Sequence, residues 1–536
     1  MYQDEKMNSF WPWQPLILMS VLVFGIIMGG TLNIHDSQSD ESSDTSKGHL
    51  IRSKSDHYKL VEALRYIEAQ YVEDVNSEAL MDIALNAIMD SLDPHSFYIS
   101  KKELQDVNER TRGDFEGIGV EYVRIEDTVV VISVVEEGPA KKAGIRSGDM
   151  ILRANGVDLS SIMSTDSIRN LIKGPSGSEI ELGVLHPRAE KTVNYNVQRS
   201  KIPYHSVEYS GQIDSNIAFI KLSHFNGNAY KEFMNALENL SDGYRIENLI
   251  IDLRDNPGGY LSEVVKILSQ LFEERDRLLV YTKNRNGVQK EYKSTGKSFY
   301  SIGNIAVLVN SNSASASEIL AGAIQDWERG IVFGQRTYGK GLVQEQFNLG
   351  DGSALRLTTA KYLTPSGRMI QRPYGDGDYG NSYNRRYNNG EFFSKDSIAN
   401  LDSSSFQTQY GTPILSGEGI IPDVFIPLDS FLFSDCYLWS SGFLQSFVYN
   451  YVYGDNSKDS NLNVSDLLKS WSNFLDEQAE FENYCSDSNN NQEEFAQTLI
   501  YHYYLYNDDR ENAFSEMLAR DKSIHRILAV WDEHED

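Results

Sequence analysis

Cysteine is almost missing from this sequence: 536 residues carry two, Cys436 and Cys485, both late in the chain. Two thiols cannot build a metal site by themselves or a disulfide-dense scaffold. Whether they pair or stay as free buried thiols is left open. An excess of positive charge is missing too. Lys and Arg number 49 against 77 Asp and Glu, a formal net charge of −28. No basic patch stands out against that background, which argues against general nucleic-acid binding. Histidine is sparse, with ten in all. His95, His186, His205 and His224 are the ones to weigh as a catalytic base, and none lies in a Gly-rich turn or beside a well-placed Asp. A Ser-His-Asp triad is therefore poorly supported. His95, in the turn L-D-P-H-S (92–96), reads as a cap or surface residue. Internal repeats are absent.

What is present is ordinary for a globular protein: 40% hydrophobic and 24% charged residues, over a length that suits two to four domains. Residues 15–32, P-L-I-L-M-S-V-L-V-F-G-I-I-M-G-G-T-L, are uncharged and mostly apolar. Their length is near the roughly 20 residues of a membrane span, and no A-x-A-like cleavage site follows them. Residues 1–34 are thus expected to be a short cytoplasmic stub and an uncleaved, single-pass signal anchor, with a cleaved signal peptide as the alternative. The rest of the chain is expected on the periplasmic side. The polar stretch 35–56 reads as a disordered spacer.

The remaining sequence changes texture three times. Residues 57–110 show helical periodicity, with Tyr58, Val61, Leu64, Ile67 and Tyr71 on one face. Residues 111–200 are short β-rich runs with glycine turns, one small β module. Residues 201–429 alternate strands and helices, the pattern of an α/β sheet covered by helices. Residues 430–536 are acidic, aromatic and helical, and carry no assignable chemistry.

In α/β sheets, sites gather at the carboxyl ends of strands. Two stretches qualify. D-N-P-G-G (255–259) follows I-I-D-L, and N-S-N-S-A-S-A-S-E (310–318) follows I-A-V-L-V. A serine at a helix start gains backbone N–H groups aimed at a substrate oxygen, though serines there also serve as simple caps. With histidine weak, the base is sought in a lysine, whose ammonium is disfavoured by burial. Lys340, in T-Y-G-K-G-L-V-Q (337–344), is the candidate.

Taken together in this order, N-P-G-G, S-A-S-A-S-E, Q-D (325–326) and T-Y-G-K-G-L-V-Q resemble the carboxyl-terminal processing peptidases, or tail-specific proteases, of peptidase family S41. The resemblance covers about residues 57–427. It implies a ClpP/crotonase-like α/β core with an inserted PDZ domain, flanked by the helical N-terminal region and helical C-terminal extension. It further implies Ser315 as nucleophile, Lys340 as base 25 residues later, and Gln344 positioning the amine. Asp326 would be a supporting acid, and the N–H groups of Ala316 and of Gly258 or Gly259 an oxyanion hole. In F-E-G-I-G-V, Gly117, Ile118, Gly119 and Val120 fall where PDZ domains hold a terminal carboxylate. The expected activity is that of a membrane-anchored serine endopeptidase that recognises apolar protein C-termini, without metal or organic cofactor, working with an adaptor or as a homo-oligomer. A non-catalytic PDZ scaffold is the competing reading.

Overall fold

The computed structural model describes residues 54–535 apart from 163, 242–244, 375–378, 399–401, 430–434, 455–461, 479–484 and 486–491. The apolar stretch 15–32 and the spacer up to residue 53 lie outside the described residues. Among the described residues no helix is long and apolar enough to cross a membrane. This corrects the expectation of a single-pass membrane anchor, which is not carried further.

The run I-A-V-L-V has no polar side, so a strand made from it must be covered on both faces. That requirement organises the centre of the molecule. The strand Ser301–Val309 lies inside a six-stranded sheet, parallel to Arg245–Asp252 on one side and to Ile331–Gly334 on the other. Ile217–Leu222 continues the parallel set beyond Arg245–Asp252, Val207–Asp214 closes that edge in antiparallel, and Val424–Phe425 closes the other. Successive side chains of a strand point to opposite faces. Ile305, Val307 and Val309 accordingly pack with Ile319, Leu320 and Ile324 of the helix Ala316–Asp326. Ala306 and Leu308 pack on the other face, against Leu518, Ile524, Ile527 and Trp531 from the C-terminal helices Arg510–Ala519 and Lys522–Glu535.

A second, antiparallel sheet carries Arg275–Asn284, Gln289–Thr295, Leu342–Asn348 and Ala354–Leu363. Its edge strand, Phe97–Ile99, comes from the N-terminal region and pairs Tyr98 with Leu355. Of the N-terminal helices, Ser77–Asp90 precedes that strand and Lys101–Arg112 follows it, the latter opened by a capping box between Ser100 and Glu103.

The β module has its own core, built on Val129, Val131, Ile151, Leu182 and Val184. The chain enters and leaves it side by side, since Asp114–Gly117 pairs antiparallel with Ser200–Pro203. One face of the module meets the C-terminal region, where Val130 joins a cluster with Phe447, Trp471 and Leu499. Cys436 and Cys485, whose pairing the sequence leaves open, form a disulfide in that region.

Candidate active site

Two turns meet at the carboxyl end of the central sheet. One follows the strand Arg245–Asp252 and runs through Leu253-Arg254-Asp255-Asn256-Pro257-Gly258-Gly259. The other follows Ser301–Val309 and ends at Ser315, directly before the helix Ala316–Asp326. Backbone and buried side chains lace them together. Ser313 Oγ donates to Leu253 O at 2.7 Å, Ser317 Oγ to Asn256 O at 2.9 Å, and Ala314 N–H to Asn256 O at 3.0 Å. Among the four alternating serines, 313 and 317 are therefore structural. Ser315 stands apart.

Ser315 has φ 56° and ψ −110°, a conformation that a residue with a side chain rarely holds. Such strain is maintained where the surroundings dictate it, often at sites of chemistry. Here the surroundings include Gly258: a Cβ there would lie 2.7 Å from Ser315 Cβ and 2.9 Å from Ala316 N, so only glycine lets the two turns touch. The Ala316 N–H makes no hydrogen bond among the described residues, as expected for the first turn of a helix. Gly258 N–H is donated to Asn256 Oδ1 at 2.8 Å, whereas Gly259 N–H has no partner among the described residues.

Lys340 sits in the turn before the strand Leu342–Asn348. Burial, with the nearby Arg356 charge, lowers its pKa from the ordinary lysine value, against an opposing pull from Glu318 and Asp93. Its ammonium makes no hydrogen bond or ion pair among the described residues. Gln344, four residues on, directs its amide to Thr358 Oγ1 at 3.4 Å.

Two side chains given no role from the sequence tie serine and lysine together. Glu318 is completely buried and accepts four hydrogen bonds. Oε2 takes the N–H groups of Ser315 and Lys340, both at 2.8 Å, and Oε1 takes Gly339 N–H at 2.7 Å and the Thr337 hydroxyl at 2.6 Å. Burial pushes its carboxyl up to about 7, with the four donors pulling the other way. On the opposite side, the buried Tyr362 hydroxyl lies 3.0 Å from Ser315 O and also against Lys340 O. One carboxylate thus holds the N–H groups of both residues, and one phenol holds both carbonyls. Glu318 had a signal in the sequence, the S-x-x-E spacing of a capping box from Ser315. Tyr362 had none, because its partners are backbone atoms of two distant segments.

An amide at 318 offers one acceptor oxygen where the carboxylate offers two. Glu318→Gln should therefore strand at least one of these donors, at a cost of about 1–3 kcal/mol. The expected outcome is a lowered Tm and a kcat that falls far more than KM rises, read by steady-state kinetics beside thermal unfolding.

The other sequence candidates are dispersed. Asp326 lies at the far end of its helix, where its carboxylate pairs with Arg368 at 2.5 Å and accepts Ser366 N–H at 2.8 Å. It braces the loop after the strand Ala354–Leu363 and does not reach the serine–lysine turns. His186 is inside the β module, between Asp149 and Tyr195. His205 pairs with Glu232, and His224 is stacked on Tyr204. His95 corrects the sequence reading of a surface cap. It is half-buried, its Nε2 is 2.7 Å from Tyr379 OH, and its pKa falls to about 4 through burial and then the Lys340 charge. A histidine held neutral beside the lysine does not add a competing positive charge there.

The β module carries a cleft of about 570 Å³ between the strand Val120–Ile125 and the helix Thr165–Ile172. Gly117, Ile118, Gly119 and Val120 all line it, with Tyr122 and Ile172 as apolar walls. Arg169 and Lys173 stand on its rim.

Known proteins are similar to this chain over both the β module and the α/β core. Residues 117–197 match the PDZ domain and residues 216–379 match peptidase family S41. The carboxy-terminal processing protease CtpB of Bacillus subtilis is 34% identical over 59% of this chain and 65% of its own length, a little under two thirds. The carboxy-terminal-processing protease of Bartonella bacilliformis is 31% identical over 57% of this chain and 70% of its own. A solved photosystem II D1 C-terminal processing protease aligns with 26% identity and a TM-score of 0.35, over 68% of this chain and 92% of that one. With a peptidase core, an inserted PDZ domain and relatives of this similarity, the chain belongs to the carboxy-terminal processing proteases, serine-type enzymes of peptidase family S41.

Proposed function

We propose that this chain is a serine endopeptidase working through a Ser315–Lys340 dyad on proteins whose apolar C-termini dock in the PDZ cleft. The observation that carries this reading is the two-sided grip of Glu318 and Tyr362, which holds a strained Ser315 against the turn of a buried Lys340 whose ammonium has no partner among the described residues. The α/β core is read as ClpP/crotonase-like. Neutral Lys340 takes the Ser315 hydroxyl proton as Oγ attacks a peptide carbonyl. Gln344, with its amide nitrogen on Thr358 Oγ1, keeps its amide oxygen to accept from the amine and orient it as the reaction proceeds. The Ala316 N–H and the Gly259 N–H, neither bonded among the described residues, receive the oxyanion, each such donor being worth about 3–4 kcal/mol in a serine protease. The lysine then gives its proton to the leaving amine. A water, deprotonated by the same lysine, cleaves the acyl-serine ester and restores the hydroxyl. The reaction asks for no metal or organic cofactor.

Substrate selection is assigned to the cleft. Backbone N–H groups of the 117–120 turn would take the terminal carboxylate while the tail adds as a strand beside Val120–Ile125, its last side chain against Ile118 and Ile172. Charged hydrogen bonds of this kind are worth about 1.5–3 kcal/mol each. A peptide with an apolar free C-terminus should therefore bind at least tenfold more tightly than its C-terminal amide, measured by fluorescence anisotropy. The corresponding protein substrate should be cleaved with a lower KM than a version with a charged tail. Equal affinity for acid and amide would overturn the cleft assignment, and absence of cleavage from any apolar-tailed protein would overturn the peptidase reading.

A further inference from the structure

Arg254 lies two residues before Asn256, whose carbonyl accepts from both Ala314 and Ser317 on the nucleophile's turn. Its guanidinium is shared. On one side Asp252 takes Nε at 3.1 Å and Nη2 at 2.7 Å; on the other, Asp521 takes Nη2 at 2.7 Å. Asp252 is completely buried and Asp521 is 7% exposed. Asp252 comes from the catalytic sheet. Asp521 comes from the C-terminal region, where Oδ1 also accepts Ser523 N–H at the start of the last helix.

The segment bearing Asp521 is fixed at both ends. After it, Ile524, Ile527 and Trp531 cover Ala306 and Leu308 of the central strand. Before it, the C-terminal region is bonded to the PDZ domain. Lys141 pairs with Asp508 at 2.7 Å, Tyr449 OH donates to Gly148 O at 3.2 Å, and Arg188 donates to Asn507 at 2.9 Å. Gly148 has no space for a Cβ, because Tyr453 lies 2.1 Å from where it would be. A side chain from outside the peptidase match (216–379) therefore sets one face of the turn on which the second oxyanion donor is proposed to sit.

We propose that Asp521 is a positioning residue for the oxyanion turn, and that through it the C-terminal region is a working part of the peptidase rather than an appendage. Asp252 and Asp521 together aim the Arg254 guanidinium. The fixed guanidinium in turn sets the path of 254–259, and hence where the Gly259 N–H meets the developing oxyanion. This rests on the Ser315 reading above, and the test separates the two.

The full chain is compared as wild type, Ser315→Ala, Asp521→Asn, Asp521→Glu and Arg520→Ala. Asparagine keeps the shape and an acceptor for Ser523 N–H but removes the negative charge that pairs with the Arg254 guanidinium. Arg520 pairs with Glu516 on the surface and is the neighbouring control. The expected result is a kcat at least tenfold lower in Asp521→Asn with KM within twofold, partial recovery in Asp521→Glu, and wild-type kinetics in Arg520→Ala. Unfolding followed by circular dichroism should show the asparagine variant fully folded at the assay temperature. Asp521→Asn with wild-type kcat overturns the proposal. A loss of kcat matched by the unfolded fraction, or equal in Asp521→Glu, overturns it as well. Cleavage that survives in Ser315→Ala instead overturns the dyad and leaves the Asp521 comparison to be judged by its own kcat.

Discussion

Alanine at Ser315 is expected to lower kcat by about a million-fold, the scale on which a serine protease suffers from loss of its nucleophile. Binding of an apolar-tailed peptide should be unchanged, because the cleft of the PDZ domain is built from other residues. Alanine at the neighbouring serines should act differently. Ser313 and Ser317 are buried and bonded to the carbonyls of Leu253 and Asn256, so their loss should cost about 1–2 kcal/mol of stability each. Chemistry should suffer only as far as the two turns drift apart. A cleavage assay run beside a thermal unfolding scan separates the two effects. If Ser313→Ala or Ser317→Ala, fully folded, matched Ser315→Ala in kcat, the nucleophile would be misassigned.

Methionine at Lys340 should reduce kcat/KM by about 10²–10⁴-fold, the usual contribution of a positioned general base. Methionine keeps the apolar stem that fills the site and removes the amine. The pH dependence carries the sign. In the proposed dyad Lys340 is a base only when neutral, and burial lowers its pKa from the ordinary lysine value, with Arg356 assisting. The wild-type kcat/KM should therefore rise with pH through that lowered pKa and then level off. The residual activity of Lys340→Met should lack this rise. A wild-type limb that persists unchanged in the methionine variant would assign the base elsewhere, with His95 the first residue to consider on position. Its pKa of about 4 would place such a limb far lower.

Much of this was legible in the sequence because the informative features are local. I-A-V-L-V followed by a serine-rich helix start gives a buried strand, a turn and a helix, and all three are present. The Gly258-Gly259 pair announces an unusual backbone, and both have positive φ, at 100° and 148°. Phe115 and Gly117 to Val120 of the turn F-E-G-I-G-V line a cleft. Other features depend on contacts between distant segments and leave no local trace. Phe97–Ile99 is too short for alternation to register, and only its partner strand Ala354–Leu363 makes it a strand. Glu318 looks like an ordinary helix cap until the loop 337–340 arrives to share it. Tyr362 and Asp521 are single residues in unremarkable segments, and each matters through a partner more than 20 residues away or 267 residues away, respectively. The C-terminal region reads as an extension because nothing in residues 430–536 says that the central sheet needs a second cover. The apolarity of I-A-V-L-V on both faces did say so, without naming the segment.

The most direct measurement for the Ser315–Lys340 dyad is covalent. A fluorophosphonate probe reacts with an activated serine hydroxyl, and peptide mass spectrometry locates the adduct. Labelling of the native chain is predicted at Ser315 alone, with a rate that rises with pH as cleavage does, is lost in Ser315→Ala and falls at least a hundredfold in Lys340→Met. An adduct on a different serine, or labelling of Ser315 at an unchanged rate in Lys340→Met, would contradict the dyad.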